Sequence, residues 1–188
     1  MRILEIEAIK DTICRSEDLL QGNNPIVLDA ETVKTTNCYA YSLGIMYNGM
    51  KGRYFIPGFT ECLPYYGEST EELMGKIVID LQNLGISFRK LELEEEKNLQ
   101  ENEYLVKVFY TPPNKELPTG DFHFIRQDRD TGIWFHKMGW YRQPDIVQSD
   151  PGYEGPIPGS EPSNITSNGK DGFSYVYDSV AYLAIKEN

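Results

Sequence analysis

The chain is short of positive charge. Against 29 acidic residues stand 18 lysines and arginines, a formal charge of −11. No basic block offsets this, so phosphate backbones and anionic lipid surfaces are repelled, and neither nucleic acid nor a membrane is an expected partner. Cysteine is scarce as well. Cys14, Cys38 and Cys62 are too few, and of the wrong parity, for a disulfide framework, and none forms a C-x-x-C pair that would suggest zinc. No segment approaches the apolar length of a membrane span, and MRILEIEAIKDTI has acidic residues where a signal peptide needs an apolar run. These absences predict a cytoplasmic protein, or one exported without a cleavable signal. Internal repeats and low-complexity tracts are missing too. Histidine occurs only twice, at His123 and His136.

What is present suits one soluble domain. The 188 residues are 40% hydrophobic and 25% charged, enough for a single substantial core. Aromatic residues reach 12%, with 13 tyrosines, which suits a cleft or a half-exposed sheet face. Much of the acid lies in LELEEEKNLQENE (91–103), which reads as a solvated connector.

Periodicity supplies the elements. Residues 3–20 read as an amphipathic helix, through Ile6, Ile9, Ile13 and Leu20, although RILEIEAI (2–9) also reads as a strand. A helix is predicted over Asn37 to Tyr47, with Tyr41 and Ile45 following Cys38 at helical spacing. The clearest helix is ESTEELMGKIVIDLQNLG. Ser69 and Glu72 fit a capping box, Leu73, Ile77, Leu81 and Leu84 form its apolar face, and Gly85 stands at C′. Strands follow in ISFRKL and EYLVKVFYT, then a hairpin in DFHFIRQDRDTGIWFHKMGW turning at DRDTG. Residues 144–172 carry loop chemistry throughout, and FSYVYDSVAYLAIK closes the chain as one or two strands. Helices first and strands later predict an α+β fold with an antiparallel sheet.

One constellation can carry chemistry. In TNCYAYSLG, Cys38 stands at a predicted helix start, where the helix dipole and unpaired N–H groups favour a thiolate and can form half of an oxyanion hole. A cysteine nucleophile needs a base, and imidazole suits that task near neutral pH. The base needs a polar group to hold its ring, and adjacent antiparallel strands can bring His123 and His136 face to face. Asp121 and Asp145 are the alternative orienting residues.

The order cysteine at a helix start, histidine on a strand, histidine on the next strand resembles the papain-like cysteine peptidases, and within them the NlpC-like bacterial cell-wall peptidases. The resemblance covers segments 33–47 and 104–140. It implies one papain-like domain over 1–188, with a long Gly/Pro-rich loop at about 144–172, and helices packed on an antiparallel sheet. It implies Cys38 as nucleophile, His123 as base and His136 as orienting residue, with Asn37, Tyr39 and Thr36 as oxyanion or substrate candidates and no metal or other cofactor. The expected function is a cysteine-dependent peptidase or amidase acting through a thioester on a peptide or amide, cell-wall peptides included. This chain carries N-C-Y-A where that group has D-C-S-G or similar, and a longer stretch between cysteine and histidine. A glutamine deamidase or an acyltransferase shares the same thioester chemistry, and the short acidic chain also allows an effector or phage-type product acting on a host protein.

Plainer readings stand beside these. Cys38 can be a small buried hydrophobe, as Cys14 and Cys62 are expected to be, and His123 a strand residue satisfied by a carbonyl. PGF (57–59) and PYYG (64–67) read as turns with packed aromatics or as cleft walls. Trp134, Trp140 and Tyr141 pack on the hairpin or shelve a substrate, and Arg126, Arg129 and Arg142 are solvated or grip a carboxylate. A catalytically silent binding module on the same fold is the competing class. It and the hydrolase differ in whether Cys38 and His123 act on each other.

Overall fold

A computed structural model describes residues 13–15, 28–47, 55–61, 69–139, 142–147, 161–162, 164–168 and 174–186. In chain order the elements are β1 (Ile13–Arg15), α1 (Thr32–Thr35), α2 (Cys38–Ser42), β2 (Ile45–Tyr47), a 3₁₀ turn (Phe59–Glu61) and α3 (Thr70–Asn83). Then come β3 (Phe88–Leu91), β4 (Glu103–Thr111), β5 (Asp121–Gln127), β6 (Trp134–Lys137), β7 (Pro144–Ile146), β8 (Asn164–Asn168) and β9 (Ser174–Lys186). The fold is mixed α+β, with few helices and an antiparallel sheet ordered β3-β9-β4-β5-β6-β7, to which β8 adds along β9. β1 and β2 form a separate antiparallel pair. The strand reading of residues 2–9 lies outside the described residues, and at Ile13–Arg15, inside the helical reading, the chain that holds Cys14 is a strand.

The long helix forms as its sequence dictates. Ser69 accepts a hydrogen bond from the Glu72 N–H, and Gly85 takes φ +69° just past the C-cap Leu84. Leu73, Met74, Ile77 and Leu81 are buried on one face, and the same face carries Asp80. Two cores result, one on each side of the sheet. The helix-side core gathers Tyr39, Leu43, Phe55, Leu73, Ile77, Val106, Val108, Phe124 and Leu183. The opposite core gathers Leu105, Phe109, Ile125, Trp134, Val147, Ile165, Tyr177 and Tyr182. β4 is buried along its whole length because its alternate residues feed both cores.

Two expectations need correction. The helix predicted over Asn37 to Tyr47 stops at Ser42. Leu43 caps it, Gly44 takes φ +65°, and Ile45–Tyr47 run as a strand paired with β1. The glycine at 44 is a C′ signal that outweighs the helical spacing of Ile45. Residues 144–172 are also not loop throughout. Pro144–Ile146 pair with β6 and Asn164–Asn168 pair with β9. β7 lies last in the sheet order, where a proline that cannot donate to a ladder is tolerated.

Candidate functional site

Helix α2 has five residues, too few to hold together on local hydrogen bonds alone. Tertiary contacts fix it instead. Asn37 caps it, its Oδ1 accepting the Ala40 N–H at 2.9 Å. The Tyr39 ring stacks on Phe55 at 5.1 Å and tilts against Phe124 at 4.9 Å, while its hydroxyl donates to Asp80 at 3.1 Å. The guanidinium of Arg126 lies 4.5 Å over the Tyr41 ring. At the other end, the Tyr104 hydroxyl donates to the Ser42 carbonyl at 3.1 Å. Every residue from Cys38 to Ser42 is buried.

Asp80 organises this anchoring. Besides Tyr39 it accepts the Gly58 N–H at 2.8 Å, the Thr60 N–H at 2.9 Å and the Thr60 hydroxyl at 2.6 Å. The PGF segment therefore serves as a turn bonded to Asp80, with Phe59 packed beside Phe55. Burial raises the Asp80 carboxyl above the ordinary range despite these donors. Sequence reasoning missed Asp80, although a carboxylate three residues after Ile77 on the apolar stripe was a visible sign.

The cavity arises where strand pairing fails. β5 runs back to Asp121, but its register with β6 ends at Ile125 opposite His136, and the partner strand leaves at Met138 and Gly139. The opening, about 220 Å³, is lined by Asn37, Cys38, Asp121, Phe122, His123 and Tyr177, together with Met138, Gly139 and Ile165. Gly120 makes the approach to this end possible. It takes φ +60°, and a Cβ there would stand 2.8 Å from the Thr111 carbonyl oxygen.

His123 and His136 meet as the hairpin predicted. They are diagonal neighbours on one face, with Nε2 of His123 3.4 Å from Nδ1 of His136 and the rings perpendicular. Asp145 stands opposite His136 on β7. Burial pushes the His136 imidazole down to about 4, with Asp145 opposing and Arg142 adding to the shift. Burial, and then the neighbouring His136, hold His123 well below its ordinary value, so both rings are neutral at pH 7.

Cys38 reaches the cavity from the other side. Phe122 and Phe124 pack against the helix-side core, so the alternation of β5 turns His123 to the opposite face. Both residues line the cavity, yet no hydrogen bond joins them. Among the described residues, the polar contact of the His123 ring is with His136. Burial pushes the Cys38 thiol up to about 12, Asp121 adding to the rise, while backbone N–H groups of Phe124 and Tyr39 and the Lys137 ammonium favour the thiolate. The expected lowering by the helix start is present but small, because five residues make a weak dipole and desolvation outweighs it.

Lys137 is the second residue that sequence reasoning missed. It directly follows His136 and so faces the Cys38 side. It is fully buried, donates to the Gly139 carbonyl at 2.7 Å, and is pushed down to about 8 by burial, with Cys38 opposing. Of the oxyanion candidates, Asn37 lines the cavity. Thr36 is fully buried, and the Tyr39 hydroxyl is committed to Asp80. Trp134 packs in the opposite core, and Arg129 and Arg142 are exposed. Cys62, the PYYG segment, Trp140 and Tyr141 lie outside the described residues.

Among the described residues, no three of His, Cys, Asp and Glu converge as metal ligands, and no helix is long and apolar enough to cross a membrane. The chain matches no family model, no curated protein and no solved structure.

Proposed function

We propose that this protein is a cysteine-dependent amide hydrolase on a papain-like scaffold of the NlpC-like kind. The observation that carries the reading is the shared cavity: Cys38 and His123 line one opening, and His123 is backed by His136. In the resting state the thiol keeps its proton and the ring is neutral, so activation is a transfer rather than a standing ion pair. A substrate carbonyl entering the cavity draws the thiol toward the ring. The Cys38 sulfur bonds to the carbonyl carbon as its proton passes to His123, and the Tyr39 N–H is a donor for the oxyanion. His123 then protonates the departing amine. Water, deprotonated by His123, cleaves the thioester and releases the acid. A peptide or cell-wall-type amide is the substrate class. Deamidation and acyl transfer differ only in the leaving group or the final acceptor.

The test is acylation by p-nitrophenyl acetate, read by intact and peptide mass spectrometry. One acetyl group is expected on Cys38, quickly formed and short-lived in the wild type, and both formed and lost far more slowly in His123→Ala. Cys38 acetylated no faster than an unfolded cysteine would sink the reading.

A second reading has its own observation. The raised thiol and the missing Cys38–His123 hydrogen bond favour a binding module that keeps the fold without turnover. Such a protein would show no acetyl-cysteine and no effect of His123→Ala.

A further inference from the structure

We propose that the cavity beside Cys38 accepts ligands bearing an ammonium group, received by the Asp121 carboxylate next to the Tyr177 hydroxyl. The inference rests on the cavity being a substrate site. It narrows the substrate to an amide with a free amino group close to the bond that is cut.

Asp121 lines the opening and is held by two hydrogen bonds. Oδ1 accepts the Phe122 N–H at 2.8 Å, and Oδ2 accepts the Tyr177 hydroxyl at 2.8 Å. A carboxylate has about four acceptor sites, so half of its capacity is left toward the cavity. Among the described residues no lysine or arginine pairs with it. Lys137, the cation nearest in sequence to this end of β6, is turned to the Gly139 carbonyl. His123 is neutral and bonded to His136.

Asp121 is half-buried, so its charge is only partly solvated, and an entering ammonium would complete its shell through charge-assisted hydrogen bonds. Phe122, Ile165 and Met138 supply the apolar wall that suits the methylenes beside an amine. The volume fits one residue-sized group rather than an extended chain. The net charge of −11 would also raise the local concentration of cations, so the test must separate that general attraction from Asp121.

Cys38 is its own reporter. The wild type is labelled with cationic 2-aminoethyl methanethiosulfonate and with anionic 2-sulfonatoethyl methanethiosulfonate, at high salt to screen distant charge. The rate at Cys38 is read by peptide mass spectrometry and normalised to free cysteine. A cation preference of about tenfold is expected, falling to about one in Asp121→Asn. Asp130→Asn, which removes an exposed charge on the hairpin turn, should leave the preference intact. Tyr177→Phe keeps the carboxylate and should also keep it, which covers the case in which Asp121→Asn does not fold. Equal rates in the wild type, an unchanged ratio in Asp121→Asn, a lost preference in Tyr177→Phe, or no labelling at all would each overturn the proposal. The ratio does not depend on turnover, so a protein that hydrolyses nothing can pass and an active hydrolase can fail.

Discussion

Two aspartates divide the molecule, Asp80 fully buried and Asp121 half-buried. Asp80, on the core face of α3, accepts four hydrogen bonds from Tyr39, Gly58 and Thr60. Asp121, at the open end of β5, accepts two and faces a cavity. Both carboxyls are raised chiefly by burial. The difference lies in what surrounds the charge. A saturated carboxylate ties three segments into one rigid unit, and a half-saturated one keeps capacity for something that is not part of the chain. The same contrast runs through the neighbouring groups. Around Asp80 the aromatic rings stack and the donors are spent. Around Asp121 stand a protonated thiol and a neutral imidazole that share no hydrogen bond.

The largest expected effect concerns the open end. A thiol pushed up to about 12 from its ordinary 9.0 leaves about a thousandfold less thiolate at neutral pH. Iodoacetamide should therefore alkylate Cys38 about a thousandfold more slowly in the folded protein than in urea, and Asp121→Asn should speed it. Fast alkylation of Cys38 below pH 7 would erase the contrast, because it would put a standing thiolate in the cavity.

At the closed end, Asp80→Ala should cost about 3 kcal/mol in urea unfolding. It strands the Thr60 hydroxyl and two backbone N–H groups in a dry core. Asp121→Asn should cost less than about 1 kcal/mol, since the amide oxygen still accepts the Phe122 N–H and the amide NH2 can donate to the Tyr177 hydroxyl oxygen. If the two losses come out alike, saturation does not separate anchor from site.

The histidine pair gives a pH signature of similar size to the Asp80 loss. His136 is lowered from 6.5 to about 4, so the folded state binds its proton more weakly than the unfolded chain does. The stability linked to the neutral ring is complete above pH 6.5 and is lost as pH falls toward 4, about 3 kcal/mol in all. The raised carboxyls of Asp80 and Asp121 bind protons more tightly when folded and soften that fall. Urea midpoints across this window should drop less steeply in His136→Gln than in the wild type. Parallel slopes would mean that His136 is not held neutral by burial.

Smaller still is Gly120→Ala, expected to cost about 1–2 kcal/mol through the left-handed backbone and the clash with the Thr111 carbonyl. Its sharper readout is the cavity. Moving the start of β5 should change Cys38 alkylation, whereas Gly75→Ala, on α3 with open space around it, should leave that rate alone and stabilise slightly.

How much of this was legible can be seen residue by residue. The Ser69 cap, the apolar stripe of α3 and Gly85 were all local, and all stand as read. The hairpin and the meeting of His123 with His136 were also legible, because strand alternation and a short turn leave little choice. The end of α2 was legible but misread, since Gly44 was present and the helical spacing of Ile45 was followed instead. β7 and β8 were hidden under loop composition. Short edge and add-on strands take their order from a neighbour's unpaired backbone, not from their own side chains.

The sequence by itself determined the α+β class, the acidic surface charge, the long helix and the residues offered for chemistry. Those follow from period, caps and composition, which act over a few residues. The tertiary structure alone decided that Cys38 and His123 come to one cavity from opposite faces of the sheet, and that Asp121 shares it with Tyr177, 56 positions away. It also decided that Asp80 is spent on anchoring, and that burial outweighs the helix start in setting the Cys38 thiol. Desolvation and hydrogen-bond saturation depend on what packs from distant parts of the chain, and no local pattern encodes them.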